Sequence, residues 1–493
     1  MNRTEFTLPL MLSLLMASAP LSAAEPVDTD GVDAVLQGFD QPAAQSSDAV
    51  DSVLDGFDDS SGAGGGDEVD QVMDGFDEPI ETGVASTPVA HNSRWQLSGS
   101  TILSTAYNYA HDAPASGQTD YRGLSRLRAK LNLELDGDLS KNWQAHIAGY
   151  VLHDFAYQIN GREQYSDEVL DENESEYELG EAFVQGELNS SLDLKLGRQI
   201  VVWGKSDNLR VTDVLNPMDN REPGMVDIED LRLPLTMAKL DYYVGDWGFS
   251  ALAIPEIRFN KNPVYGSEFY PFPTPMPDED IPSDGGDNTE YALAANGVFS
   301  GWDLSLYWAQ LYDDNPHTVS TPSGPELQHS RLTMSGLAAN AVIGSWLLKG
   351  EGAHFSGLEY STLPGKTKAR TDSLLGIEYN GFRDTTLSLE IANRHLHDYE
   401  VVLSNEGVEE NEWQSAVRYT GDFLHARLHL LALYTAFGDD AKGGGFGRLS
   451  AAYDLQDALT VTGGLVAYQE GDKIPFNAIG DNDRIFIDVK YSF

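Results

Sequence analysis

Two short clusters combine histidine with a possible nucleophile or metal partner. His354-Phe355-Ser356 places a histidine near a serine, and His395-Leu396-His397-Asp398 places two histidines on one face of a strand. Acyl hydrolysis needs a serine, a histidine and an orienting acid, and no Gly-x-Ser-x-Gly elbow is present. A histidine pair at a strand end favours a contact at a rim over a metal site. We therefore predict no catalytic residue, no metal site and no cofactor, and keep an outer-membrane hydrolase as a remote alternative.

A second group of side chains could act on solutes. In 124–135, apolar residues alternate with basic and polar ones, so that Arg126, Arg128 and Lys130 share one face. Alternation of this kind gives a strand one apolar and one polar face. A ladder of such residues could steer anionic or amphiphilic solutes, or could only hydrate a water-filled interior, and both interpretations stay open. The predicted lumen-lining residues are Arg126, Arg128, Lys130, Arg394, Arg418, Arg427 and Arg448.

The elements that must position these residues are antiparallel strands. Residues 385–394 and 424–434 repeat the alternation, and short turns such as Gly245-Asp246 and Gly344-Ser345 alternate with long connections. Short turns on one side and long loops on the other are typical of membrane barrels. The fold class predicted is all-β: a transmembrane antiparallel β-barrel of about 16–18 strands over residues 94–493, with a disordered N-terminal tail. A barrel of this size leaves an aqueous channel.

Both ends of the chain point to the same compartment. The last strand, Arg484 to Phe493, alternates strictly, and Tyr491 and Phe493 resemble the assembly signal read by the bacterial barrel assembly machinery. At the other end, Arg3 precedes a short apolar run and the small residues Ser22-Ala23-Ala24, which is typical of a secretory signal peptide over residues 1–24. We therefore expect the outer membrane of a Gram-negative bacterium, surrounded by its lipid, with the tail in the periplasm.

Composition excludes several classes of protein. The chain has 31 Lys and Arg against 78 Asp and Glu, a formal net charge of −47. Nucleic acid is therefore not an expected partner, because phosphate binding needs concentrated positive charge. The chain contains no cysteine, which excludes a disulfide framework, thiolate metal sites and a lipoprotein anchor.

Residues 25–93 form an acidic segment that contains a repeat. The segment has 17 Asp or Glu and no Lys or Arg, so it cannot bury enough apolar surface to fold alone. Three near-identical nonamers occupy residues 32–40, 50–58 and 69–77. Each spaces its apolar residues as one face of a two-turn helix, which predicts folding on a partner; a spacer without function is the alternative. The predicted docking residues are Val32, Val35, Leu36, Phe39, Val50, Val53, Leu54, Phe57, Val69, Val72, Met73 and Phe76.

The connection over 205–231 differs from a freely solvated loop. It carries many apolar residues, which an inward-folding loop would bury, and acidic residues that would then face the basic wall and create a transverse field. Packing on the outer rim is the alternative. Just before it, the alternation of Leu192, Leu194 and Leu196 would direct Arg198 to lipid unless Gly197 forms a bulge. The predicted constriction residues are Asp207, Arg210, Asp213, Asn216 and Asp219.

Residues 196–237 also carry a family resemblance. Leu196-Gly197-Arg198-Gln199-Ile200-Val201-Val202-Trp203-Gly204-Lys205, Leu215-Asn216-Pro217-Met218-Asp219 and Leu233-Pro234-Leu235-Thr236-Met237 resemble a proteobacterial outer-membrane family of unknown function. The resemblance covers roughly residues 95–493. Members are often encoded beside RND-superfamily exporters and carrier-like periplasmic proteins, so the resemblance implies a barrel in a trans-envelope transport route.

Together these observations predict a conduit for an amphiphilic or lipid-like small molecule. A periplasmic or inner-membrane transport protein would dock on the repeated tail motif, whose three copies would act by avidity. The alternative function is a passive porin for small anionic solutes, in which the tail plays no part.

Overall fold

The computed structural model describes residues 94–493 except Ser116 and Asp227. The predicted signal peptide, the acidic tail and its three repeats lie outside the described residues.

Eighteen antiparallel strands form a single closed sheet. The barrel strands are β1 (Trp95–Asn108), β2 (Gly123–Asp138), β3 (Trp143–Asp154), β4 (Ser175–Asn189), β5 (Leu192–Gln199), β6 (Leu235–Val244), β7 (Trp247–Ile254), β9 (Glu290–Phe299), β10 (Trp302–Tyr312), β13 (Arg331–Ile343), β14 (Trp346–Glu359), β15 (Thr367–Phe382), β16 (Thr385–Leu396), β17 (Asn411–Phe423), β18 (Leu428–Phe437), β19 (Gly444–Gln456), β20 (Leu459–Gln469) and β21 (Arg484–Ser492).

Each barrel strand pairs with its neighbours in the chain, and the first and last strands close the ring. The pairing of β1 with β21 runs from Asn108↔Arg484 to Ser100↔Ser492. Phe493 continues it, because its amide donates to the Gly99 carbonyl and its carbonyl accepts from the Gly99 amide, both at 2.9 Å. The predicted closed, antiparallel barrel is confirmed, with 18 strands.

Alternation along the strands separates an apolar outside from a mostly polar inside. On β16, the outward Leu389 and Ile391 are exposed, whereas the inward Ser388 and Glu390 are buried. On β15, the outward Leu375 is 76% exposed and the inward Leu374 only 2%. Such a continuous apolar exterior requires lipid around it, so this is a transmembrane β-barrel.

The connections differ sharply between the two ends of the barrel. Eight short turns of two to four residues join strands at one end, and β1 begins and β21 ends there. The other end carries all the longer loops, which are 109–122, 155–174, 200–234, 255–289, 313–330, 360–366, 397–410, 438–443 and 470–483. The loops at 360–366 and 438–443 were not predicted from sequence because they are short.

Aromatic side chains are concentrated at the short-turn end, where they mark one membrane interface. Several contact one another there, as Trp247 with Phe299 and Trp346 with Tyr379. Members of this girdle are Trp95, Trp143, Trp247, Phe299, Trp302, Trp346, Tyr379, Phe382, Phe423, Tyr491 and Phe493.

Short elements decorate the long-loop end. A small sheet combines β8 (Glu279–Asp280), β11 (His317–Thr321) and β12 (Gly324–Gln328). No helix among the described residues is long and apolar enough to cross a membrane. The α-helices are α1 (Ala156–Asn160), α2 (Asp167–Asn173) and α3 (Phe476–Ile479), and the 3-10 helices are Arg162–Gln164, Ile228–Leu231, Gly286–Asn288, Val401–Glu406 and Asp439–Ala441.

Two details of the predicted strands are wrong. The strand expected over 424–434 begins only at Leu428, because Leu424, His425 and Ala426 adopt positive φ in a turn. Arg427 therefore lies exposed in this turn and donates to the Asp454 carbonyl instead of lining the lumen. At Gly197 the register of β5 is continuous, without a bulge; the glycine takes φ +130°, which a side-chain-bearing residue rarely adopts.

Candidate functional site in the barrel lumen

The segment 200–234, which joins β5 to β6, folds into the barrel. Its apolar side chains Trp203, Leu209, Val211 and Leu215 are buried in one cluster with inward residues of the wall. Trp203 stacks on Tyr307 of β10 at a centroid distance of 4.6 Å. Burial of these apolar side chains stabilises the inward position, since they would otherwise be exposed to water. We call residues 200–234 the inner segment.

Two inward carboxylates hold the tip of the inner segment against a distant part of the wall. Glu351 of β14 accepts the backbone amides of Lys205, Ser206 and Thr212 at 2.6–3.1 Å and the Thr212 hydroxyl at 2.7 Å. Hydrogen bonds to an ionised acceptor are stronger than neutral ones. Glu351 therefore acts as a fixed anchor for this turn of backbone.

Glu390 of β16 is the second anchor. It accepts the amides of Asp207, Asn208 and Leu209 at 2.7–3.1 Å. Because β16 is eight strands away from β5 in an 18-strand ring, this contact shows that the inner segment crosses the lumen to the opposite wall.

The same segment reaches a third part of the wall through Glu222. This carboxylate pairs with Arg126 and with Arg128, the latter at 3.0 Å, and Arg128 also contacts Asp154 at 3.2 Å. Burial raises the pKa of the Glu222 carboxyl, but the two guanidinium groups outweigh burial and hold that pKa well below its usual range. Glu222 therefore stays charged and neutralises this part of the basic ladder.

The loop 255–289 also enters the barrel, beside the inner segment. Its Glu268 binds Arg484 of β21 at 2.7 Å and accepts from the Asn108 side chain of β1 at 2.7 Å. Phe269 is buried with Tyr468, Phe476 and Phe486 in a second apolar cluster. The two loop carboxylates Glu222 and Glu268 thus bind the barrel wall in the same way, by pairing with its arginines.

The five predicted constriction residues lie inside the barrel, and most of them pair within the inner segment. Asp207 is the exception, since it pairs with Lys349 of β14. Asp213 contacts Arg210 at 3.2 Å and Arg232 at 2.9 Å, and Asp219 contacts Arg221 at 2.5 Å. The Asn216 side chain accepts the Val201 amide and donates to the Leu233 carbonyl. The expected transverse field from Asp213 and Asp219 is therefore wrong, because arginines of the same segment neutralise them.

Six of the seven predicted lumen residues lie on inward faces. Besides Arg126 and Arg128, Lys130 lies 4.0 Å from the Tyr150 ring centre and Arg394 contacts Asp372 at 3.8 Å. Arg448 lies over the Phe486 ring, and Arg418 is half-buried on β17. Sequence reasoning missed the carboxylates that organise the site, Glu222, Glu268, Glu351 and Glu390. The alternation of the strands already places Glu351 and Glu390 on the inward face. The sequence does not predict which backbone amides across the lumen bind to them.

The histidine clusters lie on the outward face of β14 and β16 near the long-loop end. The Thr371 hydroxyl bridges His354 at 3.0 Å and His397 at 2.8 Å, and His395 contacts the Asn411 side chain at 3.0 Å. Ser356 is directed to the Thr333 carbonyl and not to a histidine. Among the described residues, no group of three or more His, Asp or Glu side chains could hold a metal ion.

Comparison with known families identifies the chain. Residues 105–493 match the model of a protein family of unknown function, DUF1302. The chain belongs to this family. The match covers the whole barrel apart from residues 95–104 of β1 and confirms the resemblance carried by residues 196–237. The search of the curated proteins finds no match.

Several solved structures are similar to the chain at low identity. OccAB3 of Acinetobacter baumannii is 12% identical with a TM-score of 0.48, over 80% of this chain and 99% of its own. OccK2 (OpdF) of Pseudomonas aeruginosa, solved with glucuronate, is 13% identical with a TM-score of 0.47, over 81% and 98%. The outer membrane protein OpdK of P. aeruginosa is 12% identical with a TM-score of 0.46, over 81% and 99%.

Proposed function

We propose that this protein is an outer-membrane conduit for an amphiphilic or lipid-like small molecule. The observation that carries the proposal is the inner segment, which crosses the lumen from β5 to Glu390 of β16. An 18-strand barrel without such a segment has a wide aqueous lumen. The segment divides that lumen and places a buried apolar cluster beside ion pairs, so that an apolar and a charged environment lie next to each other inside the barrel for a solute with both characters.

The proposal also places the barrel in a trans-envelope route. The barrel begins and ends at its short-turn end, which in outer-membrane barrels faces the periplasm. The acidic segment 25–93 would then lie in the periplasm, and its three nonamers would each present one apolar face to a transport partner. As a random coil, such a segment spans on the order of 45 Å.

Deleting residues 25–93 tests the coupling to a partner. We expect the amphiphile to accumulate on one side of the envelope in cells that carry the deletion, while the purified barrel keeps its single-channel conductance. Replacing Phe39, Phe57 and Phe76 together by Ala should have the same effect, because each supplies the largest apolar group of its nonamer. Unchanged passage in both variants would leave a passive porin as the better description.

A further inference from the structure

The wall of the barrel is incomplete at one place. β5 and β7 have eight residues each, whereas a strand that crosses the hydrocarbon layer needs about 9–11 residues. β4 has 15 residues, but it pairs with β5 only from Ala182 to Asn189. Residues 175–181 of β4 therefore have no strand beside them on that side. We call this gap the β4–β5 seam.

Ion pairs close the seam where backbone pairing is missing. Glu178 of β4 accepts from Arg198 at 3.1 Å, from Arg258 at 2.8 Å and from Lys261 at 3.0 Å. Arg198 also donates to the Leu179 carbonyl at 3.0 Å. The positive φ of Gly197 gives Arg198 this direction, since the alternation of β5 alone would have directed it to lipid.

Two further carboxylates, Glu176 and Glu256, extend this network. Glu176 binds Arg221 of the inner segment at 2.8 Å and also contacts Lys261. Glu256 pairs with Arg198 and accepts the Thr236 amide at 2.7 Å. Side-chain ion pairs can separate without unpairing a strand, so this closure can open while the rest of the barrel stays intact.

The outside of the seam is apolar. Tyr177 is 87% exposed, Leu179 54% and Val202 56%. Irregular backbone at membrane depth occurs only where it is buried in protein or lines a water-filled cavity, and residues 200–204 and 255–258 are irregular here. The seam thus joins an apolar lip on the lipid side to a charged network on the lumen side.

We propose that the β4–β5 seam is a lateral portal for an anionic amphiphile, an inference that rests on the proposed function. The apolar chain of the amphiphile passes between Leu179 and Val202 into the outer leaflet. Its anionic head exchanges for Glu178 on Arg198, Arg258 and Lys261. The polar head thereby remains paired while the apolar chain leaves the aqueous lumen.

Cross-linking the seam tests the portal, and the natural absence of cysteine makes the chemistry clean. The double variant Leu179→Cys and Val202→Cys, which keeps every ion-pairing residue of the seam, is joined with a reducible bis-thiosulfonate and reconstituted into vesicles, with a fluorescent long-chain fatty acid as the probe. We expect cross-linking to slow probe transfer on the order of tenfold, potassium chloride conductance to stay unchanged, and reduction to restore transfer. The matched control joins Thr333→Cys to Ser356→Cys, a directly opposed pair in the complete wall between β13 and β14.

The outcomes separate the two proposals. If the native protein transfers the probe and the cross-link does not slow it, the portal is wrong and the conduit stands. If the native protein transfers no probe, the proposed function fails and the portal with it. Loss of both transfer and conductance on cross-linking would also overturn the portal, because it would show collapse of the whole lumen.

A second measurement is independent of transport. A bimane fluorophore at Arg258→Cys should be quenched by brominated phospholipid, because the seam joins this position to the lipid. The same fluorophore at Ser388→Cys, buried inside the complete wall of β16, should not be quenched. Equal quenching at both positions, or at neither, would contradict the portal. Heat-modifiable migration in electrophoresis confirms that each variant is folded.

Discussion

At the scale of single residues, carboxylates determine how the lumen is organised. The basic ladder on β2 alone would make this part of the wall strongly positive, but Glu222 pairs with both Arg126 and Arg128. On the far wall the roles are reversed, because Glu351 and Glu390 belong to the barrel and backbone amides of the inner segment bind them. Buried charges of this kind are tolerated only when they are paired.

Replacing Glu222 by Gln should shift ion selectivity toward anions. The variant removes the carboxylate that pairs with Arg126 and leaves Arg128 with Asp154 alone, so the lumen gains positive potential. The reversal potential in a potassium chloride gradient measures the change, and Glu163→Gln, an exposed carboxylate at the same end, serves as the control. An unchanged reversal potential would show that Glu222 does not control the electrostatic potential of the lumen.

The same carboxylate predicts a pH dependence. The folded pKa of Glu222 is depressed, so its stabilising contribution is present above the ordinary glutamate value of about 4.3 and is lost as pH falls toward the depressed value. The native selectivity should therefore persist down to about pH 4. A shift in selectivity between about pH 6 and 4 that is absent from the Glu222→Gln variant would show that the carboxyl titrates normally.

Replacing both Glu351 and Glu390 by Gln should release the tip of the inner segment. Each lost charge-assisted hydrogen bond weakens the anchor by about 1.5–3 kcal/mol, so local opening becomes more frequent. Hydrogen exchange at the amides of residues 205–212 should accelerate by at least about tenfold. Glu378→Gln is the control, because Glu378 contacts Lys349 but no amide of the segment. Exchange that rises equally in the control would indicate general loosening.

At the scale of elements, the inner segment is a connection that behaves as part of the core. Its apolar residues have no regular period, and none of them belongs to a strand. Contacts with several separate strands hold the inner segment in place. These strands are β10, β14 and β16 on one side of the lumen and β2 on the other. A loop held at so many points is expected to be rigid.

Replacing residues 205–231 by a short Gly-Ser linker should open the lumen. Single-channel conductance is expected to rise severalfold, because an 18-strand barrel is wide enough for an aqueous channel. Shortening the loop 109–122, which leaves the inner segment untouched, is the control and should change conductance little. A barrel whose conductance is equal in both deletions would show that the inner segment is not the constriction.

At the scale of the whole molecule, closure of the ring depends on the last strand. Phe493 forms two backbone hydrogen bonds with Gly99 and joins the aromatic girdle beside Tyr491. The final strand therefore completes both the sheet and the interface with the membrane.

Replacing Phe493 by Ala should reduce barrel assembly in cells while refolding in detergent continues. The backbone bonds to Gly99 remain in the variant, so only recognition of the terminal aromatic is lost. Phe382→Ala, another exposed aromatic of the same girdle, is the control. The amount of heat-modifiable barrel in membranes and after refolding measures both effects, and equal loss in the two variants would reject a specific assembly signal.

The sequence by itself determined the barrel. Strict alternation, as in Leu127 to Leu135 and in Ile485 to Phe493, sorts side chains between lipid and lumen, and turn lengths separate the two ends. These are local properties, because a strand's two faces follow from the period of two. The apolar content of 205–231 indicated an inward loop for a different reason, since those side chains need burial whatever their spacing.

Only the tertiary structure decided which charges meet. Glu222 and Arg126 are far apart in the chain, as are Asp207 and Lys349, and no local pattern predicts such pairs. The sequence-based error at Arg427 arose because a turn with three positive φ values interrupted an apparently regular strand. The β4–β5 seam was hidden for a related reason. A gap in the wall depends on the relative lengths of β4 and β5 and on their register, and register is a property of two strands together.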